Sequence, residues 1–268
     1  MKRRITMKKI LAGFFVLCFC NLFFLTPQDS WKDFYNQSFH YLYNCEYDKA
    51  FEYLNKAREL NPTNPLIYWR LTCVVCFELL YEQGLDRSAT DKLKDLFVQA
   101  FNTGIELCSS DNSSPEMLFC LGGLYGNFAI ARLAIGEGSK SMLSNVKECR
   151  QYLEKIKDID NFYYDACGYL GIFNYTPMLM SWLEKRAAQL AGYKGNEEKG
   201  LEQIKNAVEY SRYGDDTKFL YLRILMELVK NKKHKDKIQE AIDLINELIK
   251  KYPNNSFLGK NLETLSKI

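Results

Sequence analysis

The chain has 268 residues, 47% of them hydrophobic and 14% aromatic, enough apolar surface to build a packed core, and this excludes a disordered chain. Its net charge of +3 comes from the start: Lys2, Arg3, Arg4, Lys8 and Lys9 all precede the first acidic residue, Asp29, and setting those five aside takes the remainder to −2. A nearly neutral body has no concentrated basic surface, so nucleic acid is not an expected partner.

The basic start runs into ILAGFFVLCFCNLFFL, Ile10 to Leu25, sixteen residues without a charge. A charged segment followed by an apolar one is the layout of a secretory signal. The run is shorter than the roughly 20 residues of a spanning helix. Residues 1–27 are therefore read as a signal peptide, with a retained N-terminal membrane anchor as the alternative. Lipidation at Cys18 or Cys20 would resemble a bacterial lipoprotein only in part, because Leu17 and Phe19 stand where such signals want small residues. The expectation is an exported chain, periplasmic or membrane-attached in a bacterial cell envelope.

Beyond residue 30 the apolar positions recur at helical spacing and alternating strand patterns are scarce, so the chain reads as all-α. YDKAFEYLNKARELNPTNP places Ala50, Leu54 and Ala57 on one helix face, with Pro62 closing the unit. Trp69 stands 35 residues after Phe34 and begins a second unit. LFCLGGLY contributes Leu118, Leu121, Gly122 and Tyr125, and CGYLGIFN contributes Cys167, Leu170, Gly171 and Asn174. From Gly122 to Gly171 is 49 residues, so the middle must hold longer helices or insertions. Thr176-Pro177 breaks a helix after Tyr175, since proline lacks the amide hydrogen and clashes with the preceding turn. Met178, Met180 and Trp182 then either turn toward a partner or the membrane interface, or plug an internal core. Further on, Gly200, Ile204 and Ala207 repeat the small, large and small places, and Ala241, Ile245 and Leu248 repeat the opening unit, with Pro253 closing it. In both terminal units alanine precedes proline by twelve residues. The tail SFLGKNLETLSKI carries Leu258, Leu262 and Leu265 on one face.

These residues resemble the tetratricopeptide repeat, a 34-residue helix pair of pattern W-x2-L-G-x2-Y, A-x3-F, P. The central LGIFNY also looks like exported bacterial proteins of that superfamily with no assigned role, and more distantly like a mitochondrial outer-membrane family of the same repeat. The resemblance implies a right-handed α-solenoid of stacked antiparallel helix pairs. About five pairs would span residues 31–255, and 256–268 would form a capping helix over the last of them. It also implies a concave groove lined by the first helix of each pair. Carried over position by position, that groove holds Tyr35, Phe39 and Tyr43, then Trp69 and Cys73, then Phe119, Gly123 and Asn127, then Gly168, Ile172 and Tyr175. Flat rings offer contact area at low entropic cost, which suits a protein or peptide partner. The competing reading buries half of these rings in the core.

Catalytic patterns are missing. There is no G-x-S-x-G elbow, no Walker loop and no G-x-G-x-x-G after a strand. Only His40 and His234 exist, and Cys73 and Cys76 have no second ligand pair at zinc spacing, so neither metal nor cofactor is expected. Seven cysteines follow the apolar run, an odd number that leaves at least one thiol free unless it pairs between chains. The functional expectation is a non-catalytic, envelope-associated scaffold for protein–protein interaction. An accessory module that binds cell-wall glycan or lipid through an aromatic groove is the alternative.

Overall fold

A computed structural model describes residues 30–82, 85–109, 114–135, 139–160, 162–179, 194–230 and 236–267, with Arg186 and Gln189 besides. Residues 1–27, Met180 and Trp182 lie outside these, as does the side chain of Met178. Eleven α-helices are described, in chain order α1 (Ser30–Tyr43), α2 (Tyr47–Leu60), α3 (Pro65–Tyr81), α4 (Arg87–Ser109), α5 (Pro115–Ala134), α6 (Ser139–Ile159), α7 (Tyr164–Tyr175), α8 (Glu197–Tyr210), α9 (Gly214–Lys230), α10 (Lys237–Lys251) and α11 (Ser256–Leu265). A short 3-10 turn, Thr176–Leu179, follows α7 at the proline. None of these helices is long and apolar enough to cross a membrane.

Neighbouring helices pack pairwise into an all-α solenoid, with pairs α1–α2, α3–α4, α5–α6, α7–α8 and α9–α10. Contacts run antiparallel within a pair: Phe34 meets Tyr53 and Lys56 while Tyr41 meets Lys49, and Lys218 pairs with Glu247 while Tyr221 reaches Glu240. The 49-residue interval in the middle is taken up by α5 and α6, of 20 and 21 residues.

The small and large residues of the repeat pattern hold each pair together. Ala50, Leu54 and Ala57 in α2, and Ala241, Ile245 and Leu248 in α10, are all buried against their partners. A Cβ on Gly122 would come within 2.7 Å of Leu153, and one on Gly171 within 2.9 Å of both the Gly200 carbonyl oxygen and the Ile204 amide nitrogen. The Ile204 Cγ1 methylene lies at the same 2.9 Å, but with two of the three obstacles in the backbone, moving that side chain aside would not make room. Gly171→Ala is expected to lower stability by about 1–3 kcal/mol, the range for overpacking. Gly259→Ala on α11, where a Cβ would meet nothing within 4 Å, is expected to raise stability by about 1 kcal/mol, the helix preference of alanine over glycine. Urea denaturation of the two variants checks both signs.

The solenoid closes on itself. The Asn254 amide donates to Asn44 Oδ1 at 3.1 Å, Asn255 Nδ2 donates to the Tyr43 carbonyl at 2.7 Å, and Phe257 packs on Tyr81 with ring centres 4.4 Å apart. Helix α11 therefore covers α10 and meets α3, while the turn that leads into it meets the end of α1. The inner helices α1, α3, α5, α7 and α9 become a bundle with α3 at its centre, where fourteen of seventeen residues are buried. An arginine within that apolar helix needs a partner. Arg70, fully buried, donates through both terminal nitrogens to the Asp216 carboxylate of α9, at 2.9 and 2.8 Å, and Tyr43 of α1 donates to the same carboxylate at 2.6 Å.

Candidate functional site: an aromatic cleft at one end of the inner bundle

Closure determines where the expected groove residues go. Tyr43, Trp69, Phe119, Asn127 and Tyr175 are buried, and Ile172 is half-buried against the core. The helix faces are those expected, but the curvature is tight enough that they face one another across a filled interior. The expected open groove along the inner helices is thus corrected for the five buried residues, while Ile172 keeps part of its surface. Asn127 is held by the polar interior: its Nδ2 donates to Thr72 Oγ1 at 2.9 Å and to Cys73 Sγ at 3.1 Å, and its carbonyl accepts from Cys76 Sγ. Burial pushes the Cys73 thiol up to about 12 and raises that of Cys76, so both stay protonated. All seven cysteines from Cys45 to Cys167 are unbridged.

Phe39, half-buried, and the edge of the buried Tyr35 line an opening. The five inner helices run parallel, and at the end where they begin they leave a cleft of about 640 Å³. Its floor is aromatic. The Tyr213 ring, just before α9, stacks on Phe39 at 5.8 Å and 2° and on Phe119 at 5.5 Å and 8°, and Trp31 flanks Tyr35 at 6.0 Å. The hydroxyls of Tyr35 and Tyr213 share a hydrogen bond of 3.1 Å. Burial pushes the Tyr213 phenol up to about 12, and burial followed by the neighbouring Tyr213 raises Tyr35, so the floor is uncharged at neutral pH.

The rim is polar. Lys32 and Asn36 stand on α1, Asn64 caps α3 by accepting from the Leu66 amide at 3.0 Å, and Glu116 sits in the first turn of α5. Arg212 closes the circle: its backbone amide and Nε both donate to Asp165, at 2.7 and 2.8 Å, and its outer nitrogens donate to Tyr163 at 2.9 Å and Glu116 at 3.5 Å. Partial burial works against its charge, but the Asp165 hydrogen bond and the surrounding groups outweigh that and raise its pKa. A rigid aromatic floor under a rim of both charge signs can seat an apolar or aromatic side chain and hydrogen-bond the chain that carries it.

The repeat pattern placed Tyr35 and Phe39 here and missed Trp31, Lys32, Asn36, Asn64, Leu66, Glu116, Arg212 and Tyr213. Most of these come from helix starts and from the α8–α9 turn, which the pattern does not cover. A family model described as Regulator of microtubule dynamics protein 1-3 matches residues 35–257, most of the chain. The chain belongs to that family. The part matched to the regulator of microtubule dynamics proteins begins at Tyr35 in the cleft and ends at Phe257 on α11, so it takes in both sides of the closure. No curated protein matches the chain.

Proposed function

We propose that this chain is a non-catalytic, tetratricopeptide-like scaffold, exported and held at a membrane or cell envelope by its N-terminal segment, which takes a protein partner in the aromatic cleft. The observation that carries the reading is the cleft itself. Closure buries most of the aromatic inner face, and the edges of the nearly buried Trp31, Tyr35 and Tyr213, with the half-buried Phe39, line a cleft that opens to solvent. The family description, regulator of microtubule dynamics, is of a role exercised on a protein polymer and supports a protein as the partner.

The test is cross-linked co-purification of the tagged full chain from its own membranes, beside a Lys32→Glu/Asn36→Arg rim variant. Both positions are exposed, so the variant is expected to fold as the parent does. A protein captured by the parent and lost by the variant supports the reading. Equal capture by both removes the cleft from it. Glycan or lipid in the isolate, without a protein, moves the assignment to a glycan- or lipid-binding accessory module.

A further inference from the structure

The large apolar side chains left in water are not spread evenly. Among the described residues six are exposed: Leu60, Leu96, Val98, Ile159, Phe162 and Tyr210. Leu60, Ile159 and Tyr210 are the last residues of α2, α6 and α8, and Phe162 lies in the turn after α6. Because each second helix runs antiparallel to its inner partner, all four sit at the end where α1 begins, the end that bears the cleft. Phe162 is 76% exposed and Tyr210 56%, and Tyr164 stands between them, with ring centres 6.4 and 5.0 Å away. Exposed apolar residues gathered at one end mark a contact surface.

Two observations say what covers it. Four residues, Thr26 to Asp29, separate the uncharged apolar run Ile10–Leu25 from Ser30 at the start of α1. At about 3.5 Å per residue, Leu25 lies within roughly 18 Å of Ser30. Any bilayer that takes up the apolar run therefore lies within that reach of this end of the molecule. The second observation is chemical. Tyrosines such as Tyr164 and Tyr210 are favoured at a membrane interface, and a phenylalanine such as Phe162 inserts its apolar ring beside them. The charges around the patch, Lys157, Asp158, Asp160, Glu209 and Arg212, are of mixed sign and form no cationic cluster that would select anionic lipid.

We propose that this end of the molecule, with Phe162, Tyr164 and Tyr210 at its tip, rests on the surface of the lipid bilayer that holds the N-terminal segment, a proposal that depends on that segment serving as an anchor. The rings insert among the headgroups, and the cleft, opening at the same end, meets only those partner segments that lie close to the membrane.

The experiment uses the full chain reconstituted into phosphatidylcholine vesicles, with the photoreactive p-benzoylphenylalanine placed at Phe162 in one protein and at the exposed Asn254, beside the opposite ends of the inner helices, in another. Flotation first reports whether the chain is held by the vesicles. Irradiation then adds the mass of one phosphatidylcholine to the chain labelled at position 162, several-fold more than at position 254, and the yield is unchanged by high salt. A chain that floats but gains lipid equally at both positions, or at neither, overturns the membrane contact while leaving the anchor intact. A cross-link from position 162 to protein overturns it in favour of a protein contact. A chain that does not float overturns the anchor reading and this proposal with it.

Discussion

Asp216→Ala is expected to destabilise the protein by about 3–5 kcal/mol, the cost of stranding a buried charge by removing its partner. The Arg70 guanidinium that loses its carboxylate has no exposure to water, and its charge is stacked 3.7 Å from the Phe39 ring centre and 4.4 Å from that of Trp69, so it cannot turn outward to be solvated. Tyr43 loses the acceptor of its hydroxyl in the same substitution. Burial has already driven the Tyr43 pKa far up, so its proton cannot simply leave. Urea denaturation followed by far-ultraviolet circular dichroism measures the loss. A double variant, Arg70→Met with Asp216→Leu, is expected to recover most of it, because an apolar pair of similar volume removes the desolvation cost of both charges. If Asp216→Ala alone is neutral, the carboxylate does not hold the closure.

Trp69→Ala is the second large effect, and it separates an open groove from a closed one. On the inner wall of an open groove Trp69 would be dispensable for folding and needed for binding. In the structure it has no exposure, its ring lies 4.8 Å from that of Phe119 and 4.6 Å from that of Tyr213, and a Cβ on Gly123 would come within 2.4 Å of its indole nitrogen. Helix α5 can approach α3 this closely only because position 123 carries no side chain. Truncating a buried tryptophan costs about 3–5 kcal/mol. The variant is expected to show that loss in the denaturation midpoint, with the Tyr35–Phe39–Tyr213 floor of the cleft collapsing as well, since the Tyr213 ring rests on Trp69. Unchanged stability would return Trp69 to a solvent-facing groove.

The helix pairs were legible in the sequence because their determinants are local. The spacing of Ala50, Leu54, Ala57 and Pro62 lies within one turn-and-stop of chain, and Gly122 and Gly171 touch helices that follow directly in sequence. The groove was only half legible. Which face of each inner helix turns inward follows from periodicity, and Tyr35, Trp69, Phe119 and Tyr175 were assigned to it. Whether that face stays open depends on the small rotation between successive pairs summed around the whole stack, which no local spacing encodes. The contacts that reveal closure join residues 146 to 212 positions apart. Arg70 is the one sign of closure within the sequence itself: it is a single charge in the apolar stretch from Pro65 to Phe77, and a charge there requires a counter-charge brought from elsewhere in the fold. The cleft's other residues come from turns, where composition alone does not say which side chains converge.

Joining the first pair to the last also changes what kind of object a repeat protein is. A stack with free ends is modular: a unit can be duplicated or deleted, and the chain can fray from either terminus one unit at a time. Here the copy number is fixed. A further helix pair anywhere between α3 and α9 would rotate Asp216 out of reach of Arg70 and Tyr43, and a missing pair would bring the ends past each other. Duplication of a pair would therefore break the seam, whereas a change of helix length or turn away from it would leave the seam in place. The same seam removes the loose ends from which unwinding would start, so the five pairs stand or fall together.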